Sequence, residues 1–159
     1  MNQYLDQQHI TAIRTSNAAV INISGRQRML SQRTAFFALR FVTAATTEER
    51  EPLRQGLAET LNLLEQSHNA LIHGDEILNI SGVLSPQMQN IYFAAPFNLD
   101  EQIRNFIQAG RSLLSTTETD LTVDNLHLNH IIKAAEHPLL AAIDKTVTQY
   151  QEEKEEKDQ

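Results

Sequence analysis

The chain has no cysteine and no tryptophan, and only five glycines, four prolines and three tyrosines among its 159 residues. Without cysteine there is neither a disulfide framework nor a thiolate metal site, and the redox compartment stays open, because cytosolic and periplasmic domains alike can lack the residue. So few large aromatic rings argue against a base-stacking platform or an aromatic cofactor box. No stretch approaches the ~18 consecutive apolar residues that a membrane-spanning helix needs. The opening MNQYLDQQ lacks the basic and apolar regions of a signal peptide, so the chain is expected to be either cytoplasmic or the soluble part of something larger. A net charge of −7 weighs against nucleic acid as the main partner, since phosphate binding needs a basic surface.

One further absence is local. From Gln7 to Thr47 there is no aspartate or glutamate, although Arg14, Arg26, Arg28, Arg33 and Arg40 all lie in that window. The densest part is NISGRQRMLSQR, Asn22 to Arg33, where three arginines share twelve residues with a glycine, two serines and no acid. An acidic chain has thus gathered uncompensated positive charge in one segment.

The rest of the sequence reads as helices. Tyr4 to Thr46 contains no proline, and its apolar residues recur at helical spacing, from Leu5, Ile10 and Ile13 through Val20 and Ile21 to Met29, Leu30, Phe36, Phe37 and Phe41. A helix of that length spans about 60 Å. Thr47, Glu48, Glu49 and Pro52 combine a capping threonine, early acids and a first-turn proline, and predict a second helix from about Glu49 to His73. Its buried stripe is Leu53, Leu57, Leu61, Leu64 and Leu71, and Gly74-Asp75 closes it. Residues 75–97 are irregular, with Ser85-Pro86 able to open a short helix through Met88 and Ile91. Asn98 caps a third helix to about Ser115, carrying Ile103, Phe106, Ile107 and Leu113. A last helix starts near Val123, shows Leu126, Ile131, Ile132, Leu139, Leu140, Ile143, Val147 and Tyr150, and must kink or break at Pro138. Four main helices with short connections predict an all-α, antiparallel up-down four-helix bundle, one domain over 1–159, with long first and last helices.

Such a bundle invites a di-iron centre, which needs a Glu-x-x-His pair on each of two helices. Glu65 and His68 supply one pair, and no second glutamate has histidine three residues on. His127 and His130, with Asp124 one turn before, are spaced to hold zinc, but exposed polar residues of an amphipathic helix explain them better. There is no nucleophile-elbow glycine pattern, no P-loop and no dinucleotide fingerprint. No cofactor, metal or enzymatic activity is therefore expected.

The arginine cluster has a chemistry of its own. A guanidinium is permanently charged and presents a planar fork of donors that suits planar oxyanions. On a helix Gly25 and Arg28 share a face with Ile21 and Gln32. A mid-helix glycine costs about 0.5–1 kcal/mol relative to alanine, so its presence beside Arg28 calls for a reason. Two remain open: close packing around a small anion, or ion pairing of the arginines to other helices with Gly25 easing helix contact.

NISGRQRMLSQR resembles the signature of the PilJ-type sensor domain of type IV pilus methyl-accepting transducers. It is also similar to the more distant motif of nitrate/nitrite sensor histidine kinases, where a glycine and an arginine-methionine pair keep this spacing. LLAAIDKTVTQYQ, Leu139 to Gln151, resembles the end of the same domain. The resemblance implies a four-helix sensor that lies outside the cytoplasm, as the periplasmic portion of an inner-membrane receptor, and signals to a cytoplasmic output domain. It implies one nitrate or nitrite held between two copies of the first helix in a homodimer, gripped by Arg28 and lined by Gly25. Asn22, Ser24, Arg26, Met29, Ser31, Gln32 and Arg33 take supporting or interface positions. Ser24 departs from the pattern, which usually has alanine before the glycine. The competing expectation is a helical dimerisation or adaptor module with no small-molecule ligand, in the cytoplasm.

Overall fold

A computed structural model describes the backbone of residues 3–158 and the side chains of residues 17–156. The described residues are helical, and their only β-type pairing is an isolated bridge between Asp75 and Ile80. The expected side chains Leu5, Ile10, Ile13 and Arg14 lie outside the described side chains.

Helix α1 (Gln3–Thr43) has no proline to break it and ends three residues earlier than expected. Helix α2 (Thr47–His73) starts earlier than expected, because Thr46 and not Thr47 is the cap: its hydroxyl accepts from the Glu49 amide at 3.1 Å. The Glu49 carboxylate in turn accepts from the Ala45 amide at 3.2 Å. One orphan amide of the helix start and the amide just before the cap are thus both satisfied by side chains. At the other end Gly74, at φ 89°, turns the chain out of α2. Gly82 (φ 77°) packs against it so closely that a Cβ there would lie 2.4 Å from the Gly74 nitrogen, so only glycine fits.

Helix α3 (Pro86–Phe93) opens as expected at Ser85-Pro86, the Ser85 hydroxyl accepting from the Met88 amide at 3.0 Å. Helix α4 (Leu99–Leu114) differs at its start. Asn98 is left-handed (φ 38°), which takes its side chain away from the first amides, and its carboxamide instead donates to Glu101 at 2.7 Å. The expected last helix is two. Helix α5 (Leu126–Glu136) begins three residues later than Val123, because the Asn125 side chain accepts from the His127 and Leu128 amides and fixes the start there. Val123 and Leu126 are consequently exposed and not part of the core. Helix α6 (Pro138–Asp158) follows after a one-residue break at His137, as the missing proline N–H requires.

The core runs along α1, α2, α4, α5 and α6, with Leu30, Phe41, Leu57, Leu61, Leu64, Ile103, Phe106, Leu113, Ile131, Leu139 and Ile143 all buried. Four of the five leucines expected on α2 are among the buried residues, and Leu53 is half-buried at the rim. Helix α1 meets α2 head to tail: Gln27 Nε2 donates to the Leu64 carbonyl at 3.2 Å, and farther along Arg50 Nε donates to the Phe41 carbonyl at 3.1 Å. Gly56 brings α2 so close that a Cβ there would meet the Phe37 ring at 2.7 Å. On its other side α1 packs on α5 and α6.

A candidate anion site on the outer face of the first helix

Each residue of an α-helix turns about 100° from the last, and that rotation sorts NISGRQRMLSQR into two faces. One turns inward. Ile23 and Leu30 are buried there together with four polar residues, Ser24, Gln27, Ser31 and Thr34. The three hydroxyls are satisfied within the helix: Ser24 donates to the Ile21 carbonyl at 3.1 Å, Ser31 to that of Arg28 at 2.8 Å and Thr34 to that of Leu30 at 2.8 Å. These short side chains let α1 lie close to its neighbours. Ser24 and Ser31, expected in supporting or interface positions, belong to this packed face.

The other face turns to solvent. Asn22, Gly25, Arg26, Arg28, Met29, Gln32 and Arg33 are all exposed, and Phe36, Leu39 and Arg40 continue the stripe toward the end of α1. Met29, Phe36 and Leu39 keep 42%, 53% and 44% of their surface in water, unusual values for the apolar residues of a long helix. Arg40 lies 5.6 Å from the centre of the Phe36 ring and holds it against the surface. A Cβ placed on Gly25 would have nothing within 4 Å, so no neighbouring element of the same chain requires glycine there.

The arginines flank this stripe. Arg26, Arg33 and Arg40 fall on the side toward α2, and none of them forms an ion pair among the described residues. Arg28 falls on the side toward α6, where its Nε lies 3.5 Å from Asp144 Oδ1, both side chains about half exposed. One turn along, Gln32 Nε2 donates to the Ala135 carbonyl at 2.8 Å, in the last turn of α5. The two side chains therefore reach either side of the α5–α6 break. Sequence reasoning missed Asp144 and the buried Gln27. Asp144 sits inside LLAAIDKTVTQYQ, but nothing in the sequence pairs that segment with Arg28.

The other clusters weighed in the sequence are committed elsewhere. Glu65 receives both terminal nitrogens of Arg111 at 2.8 and 2.9 Å, and this hydrogen-bonded pairing lowers the Glu65 pKa. His68 is buried, its Nε2 2.8 Å from Asp100 Oδ1, and Asp100 Oδ2 is 2.7 Å from Arg104. Burial pushes the His68 pKa down, against the pull of Asp100. Glu65 and His68 thus point to different protein partners. Below them the Tyr92 and Tyr150 hydroxyls meet at 3.2 Å, and burial pushes Tyr150 up to about 12. His127 and His130 are exposed at the start of α5.

The described residues are almost entirely helical or in short connections, and the long first helix turns an acid-free, arginine-flanked face to solvent. Residues 10–92, just over half of the chain, match the family described as type IV pili methyl-accepting chemotaxis transducer N-term, PilJ, and the chain belongs to that family. The match takes in α1 from residue 10, all of α2 and most of α3. No curated protein and no solved structure matches the chain significantly. Among the described residues no helix is long and apolar enough to cross a membrane.

Proposed function

We propose that the chain is the periplasmic sensor domain of an inner-membrane receptor, binding one nitrate or nitrite between two copies of α1 and passing the event to a cytoplasmic output domain. The helices form an antiparallel four-helix bundle whose rods are α1, α2, α4 and the combined α5–α6. The observation that carries the proposal is Gly25: it is a mid-helix glycine facing open space, on an apolar stripe with arginines along both edges. Within one chain it costs stability for no return. Against a second copy it lets the two helices approach closely.

In a twofold dimer the same stripe meets itself, so two Arg28 side chains face across the axis. Two like charges about 6 Å apart repel by roughly 3 kcal/mol at an effective dielectric near 20. A single planar oxyanion between them replaces that repulsion with two charge-assisted contacts and favours the closed pair of helices. Differential affinity of that size shifts a balanced equilibrium decisively. Axial movement of α1 and α6 then carries the change to the ends of the domain. Exposed Phe36 and Leu39 alone would equally serve a dimerisation or adaptor module without a ligand, and anion binding separates the two. Calorimetry is expected to show one nitrate or nitrite per two chains, abolished in Arg28→Ala. Absence of heat with either anion, or unchanged binding by the variant, contradicts the proposal.

A further inference from the structure

Arg28 is drawn in two directions. Its position on the helix is about 60° from Gly25, three residues away, and the carboxylate of Asp144 lies on the far side from Gly25, on α6. To reach over Gly25 the guanidinium must swing away from α6, and the space above the glycine is open to receive it. The pair with Asp144 is weak enough to exchange: at 3.5 Å it lacks a hydrogen bond, and both side chains are about half in water. By contrast Arg111 holds Glu65 through two hydrogen bonds.

We infer that Asp144 is an internal competitor for Arg28, a carboxylate on α6 that occupies the arginine until an external oxyanion displaces it, and so sets the affinity of the site. This rests on the proposed role of Arg28 in anion binding. The exchange also has a structural consequence. Gln32 stays hydrogen-bonded to Ala135 on the α5 side of the break at His137, while Asp144 lies on the α6 side. Anion binding therefore releases the Arg28–Asp144 tie between α1 and α6 and leaves the Gln32–Ala135 hydrogen bond to α5 in place. The site is wired to the last helix through one side chain.

Titration of the whole chain with sodium nitrate tests this, comparing the parent with Asp144→Asn, Arg28→Ala and Glu48→Gln. Glu48 is exposed at the start of α2, far along the molecule, so its variant removes the same charge without touching Arg28. Removing a half-exposed ion-pair partner is expected to tighten nitrate binding by roughly two- to fivefold in Asp144→Asn, with Glu48→Gln close to the parent. Unchanged or weaker binding by Asp144→Asn, with Arg28→Ala still inactive, overturns the competition and leaves the anion site standing. Equal tightening in both charge variants overturns it as well, because a long-range field then suffices. Undiminished binding by Arg28→Ala removes the site itself, and the competition with it.

Discussion

The seam between α2 and α4 and the outer face of α1 use the same kinds of residue to opposite ends. In the seam Arg111 holds Glu65 by two hydrogen bonds, and Asp100 is paired with both His68 and Arg104. Glycine there is filled from outside, since a Cβ on Gly110 would meet the Leu61 side chain at 2.7 Å. Its aromatic residue, Phe106, is fully buried. On α1 the arginines are loosely held, Gly25 faces open space and Phe36 is half in water. The seam is finished within one chain and the α1 face is not. On the function proposed above, the open arginines and Phe36 of α1 are where a second copy of the chain packs.

The same substitution in the two regions gives the largest contrast. Phe106→Ala is expected to destabilise the chain by about 3–5 kcal/mol through the lost burial and the cavity left behind. Phe36→Ala is expected to change monomer stability by less than about 0.5 kcal/mol while weakening self-association. Urea unfolding at low protein concentration measures both, and a large loss for Phe36→Ala would place that ring in the chain's own core.

Next in size is the buried polar pair. Asp100→Ala removes a charge-assisted hydrogen bond and leaves His68 without a partner at either ring nitrogen, since Nδ1 already has none. The expected cost is about 1.5–3 kcal/mol. The pair also makes stability depend on pH. Because burial lowers the His68 pKa in the fold, the unfolded chain takes up its proton first as the pH drops below about 6.5. Stability contributed by neutral His68 is thus fully present above that value and is lost toward lower pH, at up to about 1.4 kcal/mol per pH unit. Unfolding midpoints between pH 7.5 and 5 are expected to fall in the parent and to fall less in His68→Gln. Parallel profiles would remove His68 from the account.

Much of this was legible in the sequence, for reasons that also explain the gaps. The helices on α2 and α4 were readable because their leucines, isoleucines and phenylalanine repeat at helical spacing and all end up in one core. The helix ends and starts at Gly74, Ser85-Pro86 and Pro138 follow from the backbone preferences of glycine and proline, whereas Pro52, expected in a first turn, lies inside α2 because that helix starts at Thr47. Periodicity does not reveal which face another element covers, so Met29 and Phe36 scanned like Leu30 and Phe41 although the former pair is exposed. Likewise Ser24 and Ser31 sit in the motif but pack inward, because α1 lies between α2 on one side and α5–α6 on the other. Asp144 was illegible as Arg28's partner, since only the return of α6 along α1 brings the two together. Val123 falls outside the helix because the Asn125 cap two residues on sets the start, while Asn98 holds the expected cap position with a left-handed backbone that turns its side chain to Glu101.

The smallest stability effects contrast the two arginines. Arg111→Ala is expected to cost up to about 1 kcal/mol, at the upper end for a partly exposed pair with two hydrogen bonds, and Arg28→Ala less than about 0.5 kcal/mol. Thermal denaturation in chloride buffer compares them, and a larger loss for Arg28→Ala would mean that its pairing with Asp144 holds the fold.

Sedimentation equilibrium with and without millimolar nitrate tests the central claim most directly, because it reads the second chain and the anion together. Nitrate is expected to strengthen dimerisation of the parent and to leave Arg28→Ala unaffected at equal ionic strength. A dimerisation constant that ignores nitrate in the parent, or responds equally in Arg28→Ala, would contradict it.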